Sequence, residues 1–507
     1  MNESPKELLQ RLYDEEFGLR PTNFSIKPVH VANGLGRALT ARSYRSTALA
    51  YTLRRWVLNQ KKGLQEERHS NAEILGSYPS AFATREGEVP DLAALSTLRT
   101  LALDVLGADG GAYEDPDQSS YTMANERFIT KDPSDNRTGL FLGRLLTAGG
   151  DGDAAAQIRA LLASESDPWT TLALPLLSLA DARDERLEGD AAALAARADH
   201  LFSQNGGVLA SPVLARLRAA YDRLARFETR SGSKLNSLRR LVLFGCFVVH
   251  VHMTARWSES VSGAPRPPIL LDMFDGTRLP LRDASRATLR AAGDAIEGLM
   301  VARIRSEFSA VTTEAKAEKI MNDVDVSDDS RRRLRRSYEA HRQDGSLPPR
   351  DALADAFWET GLAEIRKDGG HPIGYLTELG RRAGYLTPWA NQGRGGKLQK
   401  RYGVTSEFLE TLIAATVEPE RPLDFPEFLD ELHRQFGVVV GRRQDDPLIR
   451  ANNLHGVQFG TPTSISEEDL RMNVEALRLA VLETGYAKAY ADGQTVITTD
   501  PQSLATL

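Results

Sequence analysis

The chain has 507 residues, of which 41% are hydrophobic and 26% are charged, and its formal net charge is −6 at pH 7. This composition is ordinary for a globular protein with about three domains. The acidic balance excludes a protein that coats nucleic acid through its overall charge, so any such contact requires a local basic segment. The single cysteine, Cys246, excludes an internal disulfide and a zinc site built from cysteines.

The first twenty residues predict a capped helix. Ser4 stands at the N-cap, Pro5 at the first helical position and Glu7 in the first turn. The segment has neither the apolar centre nor the basic start of a secretory signal. We therefore expect no such signal here and a cytoplasmic location.

Changes in sequence character divide the chain into four predicted regions. They are an N-terminal helical region (1–130), a central helical core (131–310), a charged helical connector (311–369) and a winged-helix-like C-terminal domain (370–507). Helical spacing of apolar residues dominates the first three regions, whereas the last has shorter elements and more glycine. The predicted fold class is mainly α, a multi-domain helical array with a C-terminal α+β domain.

The longest apolar run lies in "SLRRLVLFGCFVVHVHMTARW", residues 237–257. Its 13 residues from Leu241 to Met253 span roughly 20 Å as a helix, and a bilayer core needs about 30 Å. His250 and His252 are two positions apart and point to different sides of a helix, which disfavours a shared metal site. The run therefore predicts a packed core helix, with Gly245 permitting a close neighbour and no membrane span.

Two acidic residues follow the best strand candidate of the first half, "RPPILLDMFDG" at residues 266–276. Asp272 and Asp275, with Asp283 as a third carboxylate, suit the oxygen ligands that Mg²⁺ prefers. Their alternative role is turn chemistry, because Asp-Gly is a frequent turn pair. No recognisable catalytic motif accompanies them, so we expect no catalytic residue, metal or cofactor, and a metal-dependent nuclease stays an alternative.

The connector contains the arginine-rich segment "SRRRLRRSYEAHR". Five arginines fall within two helical turns, and some must share a helix face that could hold a phosphate backbone. Acidic residues flank them, which favours a solvated charged helix. The arginines are Arg331, Arg332, Arg333, Arg335 and Arg336.

The C-terminal region predicts three short helices followed by two strands, the pattern of a winged helix-turn-helix. The helices are expected near residues 371–384, 405–417 and 424–437, and the strands within "YAKAYADGQTVIT". The third helix has a capping box of Asp424 and Glu427, and Gly437 ends it.

A basic segment lies between the first two of these helices. From Arg381 to Arg401 it contains no acidic residue, and three aromatic residues (Tyr385, Trp389 and Tyr402) interleave with or follow its cations. Cationic side chains neutralise phosphates and aromatic rings stack on exposed bases, so the segment is a candidate nucleic-acid surface. Its alternative is a solvated loop on a protein-binding module. The candidate residues are Arg381, Arg382, Arg394, Lys397, Lys400 and Arg401.

Two stretches of the chain resemble a class of bacterial proteins. One runs from "YLTELGRRAGYLTP" through "FLETLIAATVEPERPLDFPEFLDELHRQFGVVVG", and the earlier one combines "LRRLVLFGCFVVHVHM" with "PPILLDMFDGTRLPLRDASRATL". These are the large helical accessory subunits of multi-gene anti-phage and modification-dependent restriction systems. The resemblance implies a non-catalytic, DNA-binding and assembly subunit that works beside a motor ATPase or helicase. A pure protein scaffold without DNA binding is the other alternative that the sequence leaves open.

Overall fold

The computed structural model describes most of the chain. The described residues are 3–22, 26–43, 52, 56–57, 70–83, 86–106, 125–165, 167–173, 187–203, 209–343, 347–367, 370–388, 400–441, 453–454, 457–458 and 465–500. Within these residues the protein is mainly helical, as predicted, and its strands are two or three residues long.

Two compact units are formed, and each is discontinuous in sequence. Unit 1 comprises Met1–Ser25, Leu194–Ala220 and Phe247–Leu507, and unit 2 comprises Ile26–Ala193 and Tyr221–Cys246. The four predicted regions are continuous in sequence, and that division stays a prediction. Three helices run from residues of one unit into residues of the other, namely α8 (Leu187–Phe202), α9 (Pro212–Glu228) and α10 (Lys234–Ser260).

The other described helices of unit 2 are α2 (Pro28–Thr40), α3 (Asn71–Ser77), α4 (Leu92–Leu106), α5 (Thr138–Thr147), α6 (Asp153–Ala163) and α7 (Pro168–Ala173). Helices α2 and α5 approach very closely, because both carry glycine at the contact. A Cβ on Gly139 would lie 2.0 Å from the carbonyl carbon of Gly34. Glycine is thus required here by space, and any larger residue would force the two helices apart.

The other described helices of unit 1 are α1 (Pro5–Phe17), α11 (Leu279–Glu307), α12 (Glu314–Asp323), α13 (Asp328–Gln343), α14 (Pro349–Lys367), α15 (Pro372–Ala383), α16 (Ser406–Thr416), α17 (Phe425–Phe436) and α18 (Glu467–Glu483). Their predicted ends are confirmed where caps could be read from sequence. Ser4 and Glu7 form a capping box on α1, and Asp424 and Glu427 form one on α17. Gly437 ends α17 in the left-handed conformation that favours glycine.

Short strands tie distant parts of unit 1 together. Strand β1 (Ile269–Leu270) pairs in parallel with β5 (Val438–Val439), and β2 (Leu386–Thr387) pairs antiparallel with β3 (Arg401–Tyr402). A three-stranded antiparallel sheet has the order β4 (Leu423–Asp424), β9 (Thr495–Ile497), β8 (Ala487–Ala489). One further antiparallel pair joins β6 (Asn453–Leu454) to β7 (Val457–Gln458). The predicted two-stranded end of the chain is therefore confirmed, and β4 extends it.

The long apolar run is a core helix, as predicted. Within the described residues, α10 is the one helix long and apolar enough to cross a membrane, and 89% of its apolar 18-residue window is buried inside the protein. In unit 2, a Cβ on Gly245 would lie 2.8 Å from the Tyr221 hydroxyl, so this glycine does permit a close neighbour. In unit 1, His250 contacts the Tyr402 hydroxyl at 2.8 Å and His252 Nε2 donates to the Phe17 carbonyl at 3.1 Å. Burial lowers the pKa of both imidazoles to about 3, so both are neutral at pH 7.

Candidate functional site

The described ends of the basic segment form the base of a hairpin in unit 1. Strand β2 follows α15, and β3 returns directly before α16, so the two strands hold the ends of the segment together. The intervening residues 389–399 lie outside the described residues, and with them the candidates Arg394 and Lys397 and the aromatic Trp389. The described part of the site therefore consists of residues 381–388 and 400–402.

Three of the predicted cations gather around one carboxylate, that of Glu378 in α15. Arg381 donates to Glu378 Oε2 at 2.7 Å, and Lys400 donates to Glu378 Oε1 at 3.0 Å. The Arg382 guanidinium lies 3.9 Å from the same carboxylate and its side chain is 31% exposed. Burial raises the pKa of Glu378, but the hydrogen bonds from Arg381 and Lys400 outweigh it and hold that pKa below its usual range. Three cations thus lie within 4 Å of one carboxylate.

Arg401 points into the protein instead. Its Nε donates to Asp272 Oδ2 at 2.7 Å and its Nη2 donates to Asp275 Oδ1 at 2.9 Å. The side chains of Arg401 and Asp272 are 6% and 0% exposed, whereas that of Asp275 is 78% exposed. Arg401 is thus bound by two carboxylates, Asp272 and Asp275, whereas the other three cations contact Glu378.

The loop after β1 is built to receive this guanidinium. Asp272 accepts the backbone N–H groups of Phe274 and Gly276 at 3.0 and 2.8 Å, which closes the turn. Gly276 has φ +79°, and a Cβ on it would lie 2.7 Å from Arg401 Nη2. Glycine is therefore required both by the backbone conformation and by the approach of the arginine. The alternative interpretation of this stretch as turn chemistry is confirmed.

The nuclease alternative would need Asp272, Asp275 and Asp283 to form one metal-binding group. Within the described residues, no group of three or more His, Cys, Asp or Glu side chains is arranged to hold a metal ion. Asp272 and Asp275 are bound to Arg401, and Asp283 accepts from Arg282 and Arg286 at 2.9 and 3.2 Å. The hydrogen bond from Arg282 is the main cause that lowers the pKa of Asp283. Each of the three carboxylates therefore makes an ion pair with arginine.

The two described aromatic residues of the segment belong to the core. Tyr385 and Tyr402 are 1% and 0% exposed. The backbone N–H of Tyr402 donates to Ser285 Oγ at 2.9 Å, and its carbonyl accepts from the Asp272 N–H at 3.0 Å. Neither ring is open to stack on a base, which corrects the expectation for these two positions. They anchor the hairpin to α10 and α11.

A buried asparagine completes the support of the Asp272 loop. Asn473 in α18 donates to the carbonyls of Leu271 and Val440 at 2.8 and 2.7 Å, and its Oδ1 accepts the Met273 N–H at 3.0 Å. It therefore binds the chain just beyond both strands of the β1–β5 pair. The side chain is fully buried and all three of these hydrogen bonds go to backbone groups.

The pairing of Arg401 with Asp272 and the role of Asn473 could not be predicted from the basic segment, whereas the pairing of Arg381 with Glu378 could. Glu378 lies three residues before Arg381, and that i,i+3 spacing on a predicted helix was a signal for an ion pair. The pairing of Arg401 with Asp272, 129 positions away in sequence, left no local signal. Asn473 likewise lies about 200 positions from Leu271 and Met273.

Comparison with known protein families, with curated proteins and with solved structures finds no match for this chain.

Proposed function

We propose that the protein is a non-catalytic subunit that binds DNA and partner proteins in a cytoplasmic bacterial complex for DNA processing or defence against phage. The observation that carries the DNA-binding part is the clustering of cations at the hairpin base. Arg381, Arg382 and Lys400 all lie within 4 Å of the Glu378 carboxylate. Clustered cations bind phosphates, because the gain comes from released counterions.

The C-terminal elements support a winged helix whose three helices are α16, α17 and α18. The sequence suggested instead that the first helix of the module is the one near residues 371–384. Helix α16 is followed by β4 and α17, then by the short strands β5, β6 and β7, and then by α18 and the β8–β9 hairpin. Strand β9 pairs with both β4 and β8. In the proposed module the β8–β9 hairpin is the wing, and it follows α18, the third helix.

Helix α18 favours a protein partner over DNA. In a helix-turn-helix the recognition helix enters the major groove, where it meets a high density of phosphates. The exposed carboxylates of α18 include Glu467, Glu468, Glu475 and Glu483. Its arginines, Arg471 and Arg478, are paired with Glu468 and Glu475 at 2.8 and 2.5 Å. We propose that this module serves assembly and that DNA is contacted at the hairpin base.

The proposed partner is a motor ATPase or helicase of the same complex. This part rests on the resemblance to accessory subunits of bacterial defence systems. Such subunits contribute binding surfaces, while the motor supplies the nucleotide chemistry.

The test of DNA binding uses the full-length protein and a fluorescein-labelled DNA, as a single strand and as a duplex. Fluorescence anisotropy should show salt-dependent binding that weakens at least about tenfold in the variant Arg382→Gln/Arg394→Gln/Lys397→Gln. The control variant Arg434→Gln/Arg471→Gln/Arg478→Gln has the same change of charge and should bind as the unaltered protein does. Equal affinities of the two variants would remove the hairpin from the proposal.

The second candidate is a protein adaptor that does not bind DNA. It is favoured by the acidic α18 and by the commitment of Arg401, Tyr385 and Tyr402 to the core. Affinity purification of the tagged protein from its native cells distinguishes the two. An adaptor retains its partners after nuclease treatment and shows no DNA binding in the anisotropy titration.

A further inference from the structure

Four arginines on α13 form a second basic surface, which we call the α13 arginine ridge. Helix α13 turns Ser330, Leu334 and Tyr338 inward, where they are buried. Arg332, Arg335 and Arg336 are exposed, and Arg333 is half-buried. Because Arg332 and Arg336 are one helical turn apart on the side opposite Leu334, both extend outward. The ridge consists of Arg332, Arg333, Arg335 and Arg336.

Among the residues that the structure describes, two of these arginines, Arg333 and Arg336, lack the carboxylate partner that Arg434 and Arg471 have. Arg434 and Arg471 each pair with a glutamate three residues earlier in the sequence. Arg332 is 75% exposed, and its one ion-pair contact is with Asp329 at 3.9 Å. In the described part of the chain Arg333 and Arg336 make no ion pair. Arg333 and Arg336 therefore keep positive charge that no described carboxylate within 4 Å neutralises.

The spacing also places like charges beside each other on the helix. Arg332 lies three and four positions from Arg335 and Arg336, and Arg333 lies three positions from Arg336. Like charges at these spacings destabilise a helix. Residues that break such a local rule are expected mainly at functional sites.

Carboxylates at both ends confine the ridge to about two turns. Asp328 and Asp329 occupy the first turn of α13 and Glu339 follows the last arginine. Asp329 also lies 3.7 Å from Lys367 Nζ, which reduces its effect on the ridge. The limited length suits a short stretch of phosphate backbone better than a broad anionic membrane. Arginine is also the residue that binds phosphate oxygens in a bidentate manner.

We propose that the α13 arginine ridge binds the phosphate backbone of nucleic acid, independently of base sequence. Arg332 and Arg336 are about 6 Å apart along the helix axis, so their guanidinium groups can reach neighbouring phosphates of one strand. The inference rests on the proposed DNA-binding function and adds to it a second contact surface, distinct from the hairpin base in sequence and in the helix that carries it.

The test compares Arg332→Gln/Arg336→Gln with Arg434→Gln/Arg471→Gln, which removes the same charge from paired arginines. In anisotropy titrations of labelled DNA from 50 to 200 mM NaCl, the ridge variant should bind about fivefold or more weakly. The slope of log K against log[NaCl] should become shallower by about 1.5 to 2. Its melting temperature should stay equal or rise, because like-charge repulsion has been removed. The control variant should bind within twofold of the unaltered protein.

The possible failures are distinguishable. If the ridge variant binds DNA like the control while the hairpin variant is weakened, the ridge inference is overturned and the proposed function stands. If the unaltered protein does not bind DNA, both are overturned. In that case, binding to phosphatidylserine vesicles that the ridge variant loses would assign the ridge to an anionic membrane instead.

Discussion

Removing the Arg401 side chain should destabilise unit 1 without weakening DNA binding. In Arg401→Met, the carboxylate of Asp272 stays fully buried but loses the guanidinium that lies 2.7 Å away. Breaking a buried ion pair by removing one partner costs about 3–5 kcal/mol. The two backbone N–H groups that Asp272 accepts remain, so we expect the lower end of that range, about 3 kcal/mol.

Hydrogen–deuterium exchange is the suitable assay, because a chain with two compact units need not unfold in one step. A loss of about 3 kcal/mol raises the opening equilibrium roughly a hundredfold. Amides of the Asp272 loop and of β3 that exchange through this opening should therefore exchange about a hundred times faster. Peptides from unit 2, such as those covering α5 and α6, serve as the internal reference.

Two further measurements separate the structural role from a DNA contact. The double variant Asp272→Asn/Arg401→Met leaves no buried charge, so it should lose less stability than the two single changes added together. At a temperature where Arg401→Met remains folded, its DNA affinity should match that of the unaltered protein. A variant of undiminished stability that binds DNA more weakly would refute the assignment of Arg401 to the fold.

Three other predictions follow from the contacts of the two units. Asn473→Ala removes hydrogen bonds from three backbone groups, two of them buried, and should lower the free energy of opening of the Asp272 loop by about 2–4 kcal/mol in hydrogen exchange; a loss below about 1 kcal/mol would contradict its role. Gly139→Ala should cost more than about 3 kcal/mol, whereas Gly76→Ala, with nothing within 4 Å of its Cβ, should not lower the melting temperature. Burial raises the pKa of Asp135 to about 6 despite Arg37, so the folded state retains a proton that the unfolded chain releases near pH 4. Unit 2 should therefore lose roughly 3 kcal/mol as the pH rises from about 4 to above 6, and Asp135→Asn should flatten this dependence.

Local signals predicted the helices well. The capping boxes of α1 and α17, the glycine that ends α17 and the apolar run of α10 are properties of neighbouring residues, and the structure has them where the sequence indicates. The sequence prediction counted only the 13 residues of the apolar run. Helix α10 has 27 residues and is long enough for a bilayer, so it is the burial of the helix that identifies it as core. These predictions hold because each depends on interactions within a few residues.

The candidate site could be predicted only in part. Six cations in one segment look alike in sequence, yet Arg401 is buried while Arg382 is exposed, and the difference arises from Asp272 more than a hundred residues away. The same long-range pairing turned the proposed metal ligands Asp272 and Asp275 into arginine acceptors. Contacts of this kind depend on the tertiary fold, and neither periodicity nor composition reports them.

The most direct test of the central claim is the salt dependence of DNA binding by the unaltered, full-length protein. The proposal predicts that log K falls linearly with log[NaCl] between 50 and 200 mM, with a slope between about −2 and −5 for the cations of the hairpin base and the ridge. Binding that is absent at 50 mM NaCl, or that does not change with salt, would contradict the claim that this protein holds DNA through its basic surfaces.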